Sequence, residues 1–189
     1  GSFPIVGTTA QFFENDYMPG RKFRFRGGRI TALFDAIIGS EVARTNGWDL
    51  NSKFSILHGG AQGSLHDELF TVVAVLAPTG TANDRTVFLN LQGFYAIEGH
   101  EKPIDEVEKR LRDFYAADPQ RLNSALQQLQ DYRQRRAANP DVPEGLAMDS
   151  PPAMQEVTAI LVKTRPATPF DAISLSSELQ KGFQAMAVN

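Results

Sequence analysis

The sequence predicts an α+β fold, in which a small mixed sheet domain is joined to a helical hairpin and closed by a C-terminal strand–helix pair. Three observations predict it. Residues 69–76 and 86–90 are short runs rich in Val, Phe and Thr, separated by a loop that carries Pro78 and Gly80. From Pro103 onward the apolar residues recur at helical spacing instead. Beyond a proline-rich stretch, residues 156–163 alternate again as a strand, and a last helical stripe follows.

In chain order, residues 3–6 form a short apolar strand. Thr8-Thr9-Ala10-Gln11 fits a capping box, with the Thr8 hydroxyl accepting from Gln11 and the Gln11 side chain reaching back. Phe12, Phe13 and Tyr17 are then placed on a short helix that Pro19-Gly20 ends. Arg21-Lys22-Phe23-Arg24-Phe25-Arg26 alternates basic with aromatic residues, as a half-buried strand with a cationic outer face would. That face is either an anion or lipid-headgroup patch or a plain solvated surface. Residues 34–38 are an apolar run closed by Gly39, and Ser40 N-caps the helix that Glu41 begins and Asn46-Gly47 stops. Residues 53–57 form a strand with Phe54 and Ile56 on one face, and His58-Gly59-Gly60 opens a connection into the central strand pair, 69–76 and 86–90. Residues 91–97 make a short helix ending at Gly99.

Asp105 caps the next helix, whose apolar positions are Val107, Leu111, Phe114 and Tyr115. Asp118-Pro119 begins its partner, with proline at the tolerated first position and Leu122, Leu126, Leu129 and Tyr132 along one side. Residues 139–152 contain four prolines and read as a linker. The strand at 156–163 is apolar on both faces and is expected to be covered on each side. Thr168-Pro169 starts a terminal helix lined by Leu175, Leu179, Phe183 and Met186.

With 189 residues, 42% of them hydrophobic, the chain suffices for one substantial core or for a main domain with a smaller companion. A net charge of −3 argues against a nucleic-acid partner, which calls for a strongly basic surface. The absence of cysteine rules out disulfides, thiolate metal sites and cysteine nucleophiles, and fixes no compartment. No apolar run approaches the ~20 residues that span a bilayer. Gly1-Ser2 has the look of a vector-derived scar, so the natural protein is expected to continue at both ends.

Chemistry-bearing patterns are few. There is no Gly-rich loop ending in Lys-Ser/Thr to cradle a phosphate, and Arg26-Gly27-Gly28-Arg29 lacks the strand–loop–helix setting that would make it one. No serine sits in a Gly-x-Ser-x-Gly elbow. Asp67 and Glu68 are adjacent, and on a strand they would point to opposite faces. No catalytic residue is assigned, and the domain is expected not to be an enzyme. His58, His66, Asp67 and His100 are the candidate metal ligands: if a hairpin brings the loops together, imidazole and carboxylate suit zinc. Their spacing matches no metal motif, and chance clustering in surface loops is the plainer explanation.

Several short words appear in a telling order: Ile5-Val6-Gly7-Thr8-Thr9 with Phe12-Phe13-Glu14, then Ile37-Ile38-Gly39-Ser40-Glu41-Val42-Ala43. Phe70-Thr71-Val72-Val73, Leu76-Ala77-Pro78-Thr79-Gly80-Thr81, Asn83-Asp84-Arg85-Thr86-Val87-Phe88 and Val157-Thr158-Ala159-Ile160-Leu161-Val162 follow. In this order the chain resembles the extracytoplasmic (periplasmic core) domain of MacB/FtsX-type ABC transporter permeases. The resemblance implies a mixed α/β inserted, Sabre-like subdomain at 3–102, a helical hairpin insertion at 103–139 that departs from the family's compact form, a Pro-rich linker at 140–155, and a porter-like strand and helix at 156–189 leading to a transmembrane helix. It implies a non-enzymatic role on the periplasmic side of a bacterial inner membrane, coupling ATP hydrolysis on a separate cytoplasmic ATPase subunit to extracytoplasmic movement. A membrane-anchored homodimer and a periplasmic protein partner belong to the same expectation, with no cofactor in this domain itself. The competing expectations are a metal- or ligand-binding sensor and a pure partner-docking module built on the hairpin.

Overall fold

The computed structural model describes residues 2–56, 68–97, 102–138, 150–155, 157–161, 174, 177 and 178. Strands and helices are mixed along the chain. The strands are β1 (Ile5–Thr8), β2 (Asp16–Met18), β3 (Arg21–Lys22), β4 (Phe25–Gly27), β5 (Asp35–Ile38), β6 (Lys53–Phe54), β7 (Phe70–Leu76) and β8 (Val87–Asn90). The helices are α1 (Ser40–Asn46), α2 (Leu91–Tyr95), α3 (Ile104–Phe114) and α4 (Pro119–Ala138). The chain divides into two compact units, Gly1–Glu156 and Val157–Asn189.

The main sheet has the order β1-β8-β5-β7-β4, with β6 also paired to β7, while β2 and β3 make a separate two-stranded ribbon. The two runs expected to form the centre both become strands, as β7 and β8, but they do not pair with each other. β5 lies between them, parallel to β7 and antiparallel to β8. All four of its residues are buried, so it has neighbours on both edges and side chains against both faces. A run this short and this apolar gains most where no part of it meets water.

One face of the sheet carries Ala36, Ile38, Phe70, Val72 and Leu89, packed with Val42 of α1 and the rings of Phe54 and Trp48. The other carries Ile37, Ala74, Leu76 and Phe88 under Phe12, Phe13, Tyr17 and Phe23. β7 contributes to both faces because its register against β5 jumps from Val72 to Ala74. Val73 is the extra residue of a bulge, and a one-residue insertion exchanges the faces of everything beyond it. Its carbonyl accepts the Gly28 amide at 2.8 Å, which ends β4 in the Arg26–Arg29 turn and leaves that amide no freedom to hold a phosphate.

Local expectations fail where a tertiary partner outcompetes them. β1 starts two residues later than expected, and Thr8 is its last residue. Thr9 therefore caps the following segment, without a side-chain bond, so the expected capping box does not form. That segment is a single 3-10 turn, Ala10–Glu14, and Tyr17 belongs to β2 instead. The turn is held by its rings: Phe12 and Phe13 lie 5.4 and 5.2 Å from Phe88, centroid to centroid. The basic–aromatic run splits between β3 and β4, yet keeps its alternation, with Phe23 buried and Phe25 half-buried between exposed Lys22, Arg24 and Arg26. Gly39, rather than Ser40, occupies the N-cap of α1, and Gly47 closes that helix at φ 66°. β6 is shorter than expected, but Phe54 and Ile56 are both buried against the same core.

The hairpin forms as expected. Asp118 caps α4 by accepting the Arg121 amide at 3.1 Å, and Arg133 near the end of α4 reaches Asp105 at the start of α3 at 2.8 Å, which fixes the helices as antiparallel. Pro103 takes the N-cap of α3, and Asp105 sits within its first turn, where its charge still favours the helix. Val107, Leu111, Leu129 and Tyr132 form the core between the helices. Met154 joins them: Pro152–Met154, placed in the expected linker, is a 3-10 turn docked on the hairpin. Phe114, expected on the apolar stripe, is 69% exposed.

In the second unit, the described residues 157–161 form no strand, and Val157, Ile160 and Leu161 are exposed at 52, 80 and 71%. The strand expected to be covered on both sides is thus absent over these residues. Alternation supplies the side chains of a strand but not the ladder that makes one. Ser174, Ser177 and Glu178 are helical, while Leu175, Leu179, Phe183 and Met186 lie outside the described residues. Among the described residues, no helix is long and apolar enough to cross a membrane.

Candidate functional site

The most highly connected polar cluster stands where β5 ends and β8 begins. The loop after β7 folds back through a 3-10 turn, Ala82–Arg85, capped by the Thr81 hydroxyl, which accepts the Asn83 amide at 3.2 Å. This places Asp84 at the hub. One of its oxygens accepts from the Thr79 amide and the Thr79 hydroxyl, both at 2.8 Å, and the other accepts the Gly80 amide at 2.8 Å. The Ser40 hydroxyl also donates to it, which ties the loop to the first residue of α1. Outside, Arg85 faces Glu41 at 3.7 Å.

Partial burial pushes the Asp84 carboxyl up, but the donors of Thr79, Gly80 and Ser40 outweigh it and hold the group below the usual carboxylate range. With that set of donors, the carboxylate has little capacity left for a substrate proton or a metal ion. Its role is to lock the loop. Because the folded state depresses this pKa, the stabilisation is present above the carboxyl's unfolded value of about 4 and is lost as pH falls through the lower folded value. Asp84→Asn should therefore lower stability at pH 7 by about 1.5 kcal/mol and flatten the acid side of the stability–pH curve. Urea titrations at pH 3 to 7 check this, and equal acid slopes in the two proteins would contradict the locking role.

A second polar tie holds the opposite end of the same strand pair. Asp35, buried at the start of β5, accepts the Thr31 and Ala32 amides at 2.8 and 2.7 Å. Asn90, which caps α2 through the Gln92 amide, donates to the Ala32 carbonyl at 3.0 Å. Both ties are Asx-type loop closures made by residues whose side chains mimic backbone turns.

Elsewhere, described residues line two concavities. One, of about 40 Å³, lies beneath Phe13, Phe25 and Ile37 and has room for no more than a few waters. The other, of about 410 Å³, opens on the hairpin between Leu111, Tyr115, Ala125 and Pro152, with Phe114, Arg110 and Gln128 around it. Its size falls within the range of small-ligand or side-chain pockets. The ring of exposed Phe114 meets that of half-buried Tyr115 edge-on at 4.9 Å, so an aromatic pair marks this cleft.

The candidate metal ligands His58, His66, Asp67 and His100 all lie outside the described residues. What the structure does place is their frame: β6 and β7, which flank residues 57–67, are antiparallel neighbours with Phe54 opposite Phe70. Among the described residues, no group of three or more His, Asp or Glu stands together as a metal cage. Sequence reading missed Asp84 as a hub and the cleft beside Phe114. For Asp84 the signal was present, since Thr-Gly-Thr-x-Asn-Asp concentrates the residue types that close loops with their side chains. For the cleft there was none, because it depends on the return of Pro152.

Comparison of the chain with protein-family models, with curated proteins and with solved structures finds no match.

Proposed function

We propose that this chain is the extracytoplasmic domain of an ABC transporter permease of the MacB/FtsX type, a part that moves and binds rather than catalyses. The observation that carries the reading is where the resembling words meet. Ile5–Thr8, Asp35–Ile38 and Val87–Asn90 become neighbouring strands, and Gly39-Ser40 abuts Asn83-Asp84 in the locked loop. Words that lie tens of residues apart in the sequence thus assemble into one structural knot, which supports reading them as a single inherited unit. The exposed Val157, Ile160 and Leu161 also suit a strand whose ladder is completed by another porter-like half in the parent protein.

On this reading, ATP is hydrolysed on a separate cytoplasmic subunit, and the C-terminal helix passes the resulting motion between the membrane part and this domain. The parent works as a membrane-anchored homodimer facing the periplasm. The hairpin, with Phe114 exposed at the rim of its cleft, is the natural contact for a periplasmic protein partner.

The absence of cysteine makes the placement directly testable. Ser124→Cys puts one thiol on the exposed face of α4. In intact cells carrying the parent protein with any cysteine outside this chain replaced, a membrane-impermeant maleimide should label it without lysis. Labelling only after lysis would remove the periplasmic placement and the transporter reading with it. Cross-linking the C-terminal helix to the main body should then slow ATP-driven transport, and unaffected transport would count against mechanical coupling.

A further inference from the structure

The basic–aromatic run has a use that neither the loop lock nor the hairpin absorbs. Residues 17–34 hold five basic residues (Arg21, Lys22, Arg24, Arg26 and Arg29) and no acidic one, in a chain whose net charge is −3. Two of the five are engaged: Arg26 with Asp49 at 2.6 Å and Lys22, loosely, with Asp16 at 3.9 Å. Among the described residues, Arg21, Arg24 and Arg29 are exposed and have no acidic partner. Phe23 and Phe25 turn inward onto the aromatic core and hold the cationic side chains outward. Beside them, the turn joining β2 to β3 presents Met18, 44% exposed, with Pro19 and Gly20 at its tip.

We infer that the tip of the β2–β3 ribbon, with Arg21, Lys22 and Arg24 exposed around the Met18-Pro19 turn, is a docking surface for anionic phospholipid headgroups. Charge complementarity identifies the partner. Guanidinium groups grip phosphate oxygens two at a time. Arg21 and Lys22 belong to β3 and Arg24 follows it, so the charges are spread around a turn on exposed backbone, which suits a surface of mobile headgroups. An exposed methionine and proline at the tip supply the small apolar element that enters the headgroup–acyl boundary. The surface belongs to this chain whether or not the transporter assignment holds, and vesicle binding is measured without reference to transport.

The test is co-sedimentation of the 189-residue chain with vesicles of phosphatidylcholine containing about a third phosphatidylglycerol, against phosphatidylcholine alone. Binding is expected on the anionic vesicles only, and it should weaken sharply at about 0.5 M salt as screening shortens the reach of the charges. Arg21→Glu/Lys22→Glu/Arg24→Glu should reduce it more than tenfold, since each basic residue near such a surface is worth about fivefold. Lys109→Glu/Arg121→Glu/Arg135→Glu makes the same change in net charge on the hairpin and should retain binding. Should the first triple variant fail to fold, Arg24→Gln alone should lose about fivefold. No binding to anionic vesicles, equal binding by the variants at Arg21, Lys22 and Arg24, or equal loss in the hairpin control each overturns the assignment.

Discussion

Replacing Gly39 with alanine is expected to cost the protein about 3 kcal/mol or more of stability. A Cβ there would lie 2.2 Å from the Asp84 carbonyl oxygen and 2.4 Å from that of Asn83, inside any tolerable contact. The obstacle is backbone, not the far end of a mobile side chain, so relief requires moving the 3-10 turn away from α1. That movement would also strain the Gly39 amide's bond to the Thr86 carbonyl, now 2.9 Å, and the Ser40 hydroxyl's bond to Asp84. Against a typical net stability of 5–15 kcal/mol, the loss is a large fraction. Gly47→Ala is the informative contrast. Nothing stands within 4 Å of its Cβ position, and only its φ of 66° penalises a side chain, a cost of about 1–2 kcal/mol. Urea unfolding followed through Trp48, the one tryptophan, reports on this part of the molecule because the indole stacks on Phe54 at 4.9 Å. Similar midpoints for the two variants would show that the close approach at Gly39 is not what holds the loop.

Phe88→Ala is expected to have the larger effect, about 4 kcal/mol. Phe88 is 1% exposed and is gripped by Phe12 and Phe13 from one side of the sheet, within the cluster of Phe23, Ile37, Ala74 and Leu76. Its removal empties the centre of that cluster and deprives the 3-10 turn at Ala10–Glu14 of its main contact. That turn has no side-chain cap at its N-terminal end, and at the other end only Asn15 closes it, donating to the Gln11 carbonyl at 3.0 Å, so its hold on the sheet depends on the rings. Two readouts follow: a lower urea midpoint by Trp48 emission, and faster amide exchange at Phe12 and Asn15 than elsewhere in the sheet. Preserved exchange protection at those amides would show that the turn is held by something other than Phe88. Phe25→Ala, at the half-buried margin of the same cluster, should cost markedly less.

Both variants concern positions at which the residue type was visible in the sequence and its consequence was not. Gly39 reads as a breaker at the end of an apolar run, and nothing local says that a loop more than forty residues later will lie against it. Phe88 reads as one alternating residue of a strand. Its partners come from a segment whose helical pattern, Phe12, Phe13 and Tyr17, was divided in the fold between a turn and β2. The hairpin shows the opposite behaviour. α3 and α4 are neighbours in sequence joined by a short connection, so periodicity and caps suffice to bring their apolar stripes together. The departures there are exposed Phe114, the cap taken by Pro103, and Met154, which shows that a proline-rich stretch can still carry one residue that fills a gap between helices.

Local residue pattern was enough to place β7, β8, α1 and the hairpin, to stop a helix at Gly47 and to start one at Asp118-Pro119. Those are decisions of a few adjacent residues, settled by side-chain period, φ preference and the capping of loose amides. Long-range packing set the rest: β5 between β7 and β8, the bulge at Val73 that divides one strand between two cores, and the hold of Asp84 on α1. Strand order and register are chosen by which arrangement buries most apolar surface while pairing every amide and carbonyl, a competition among segments far apart in the chain that no local window contains.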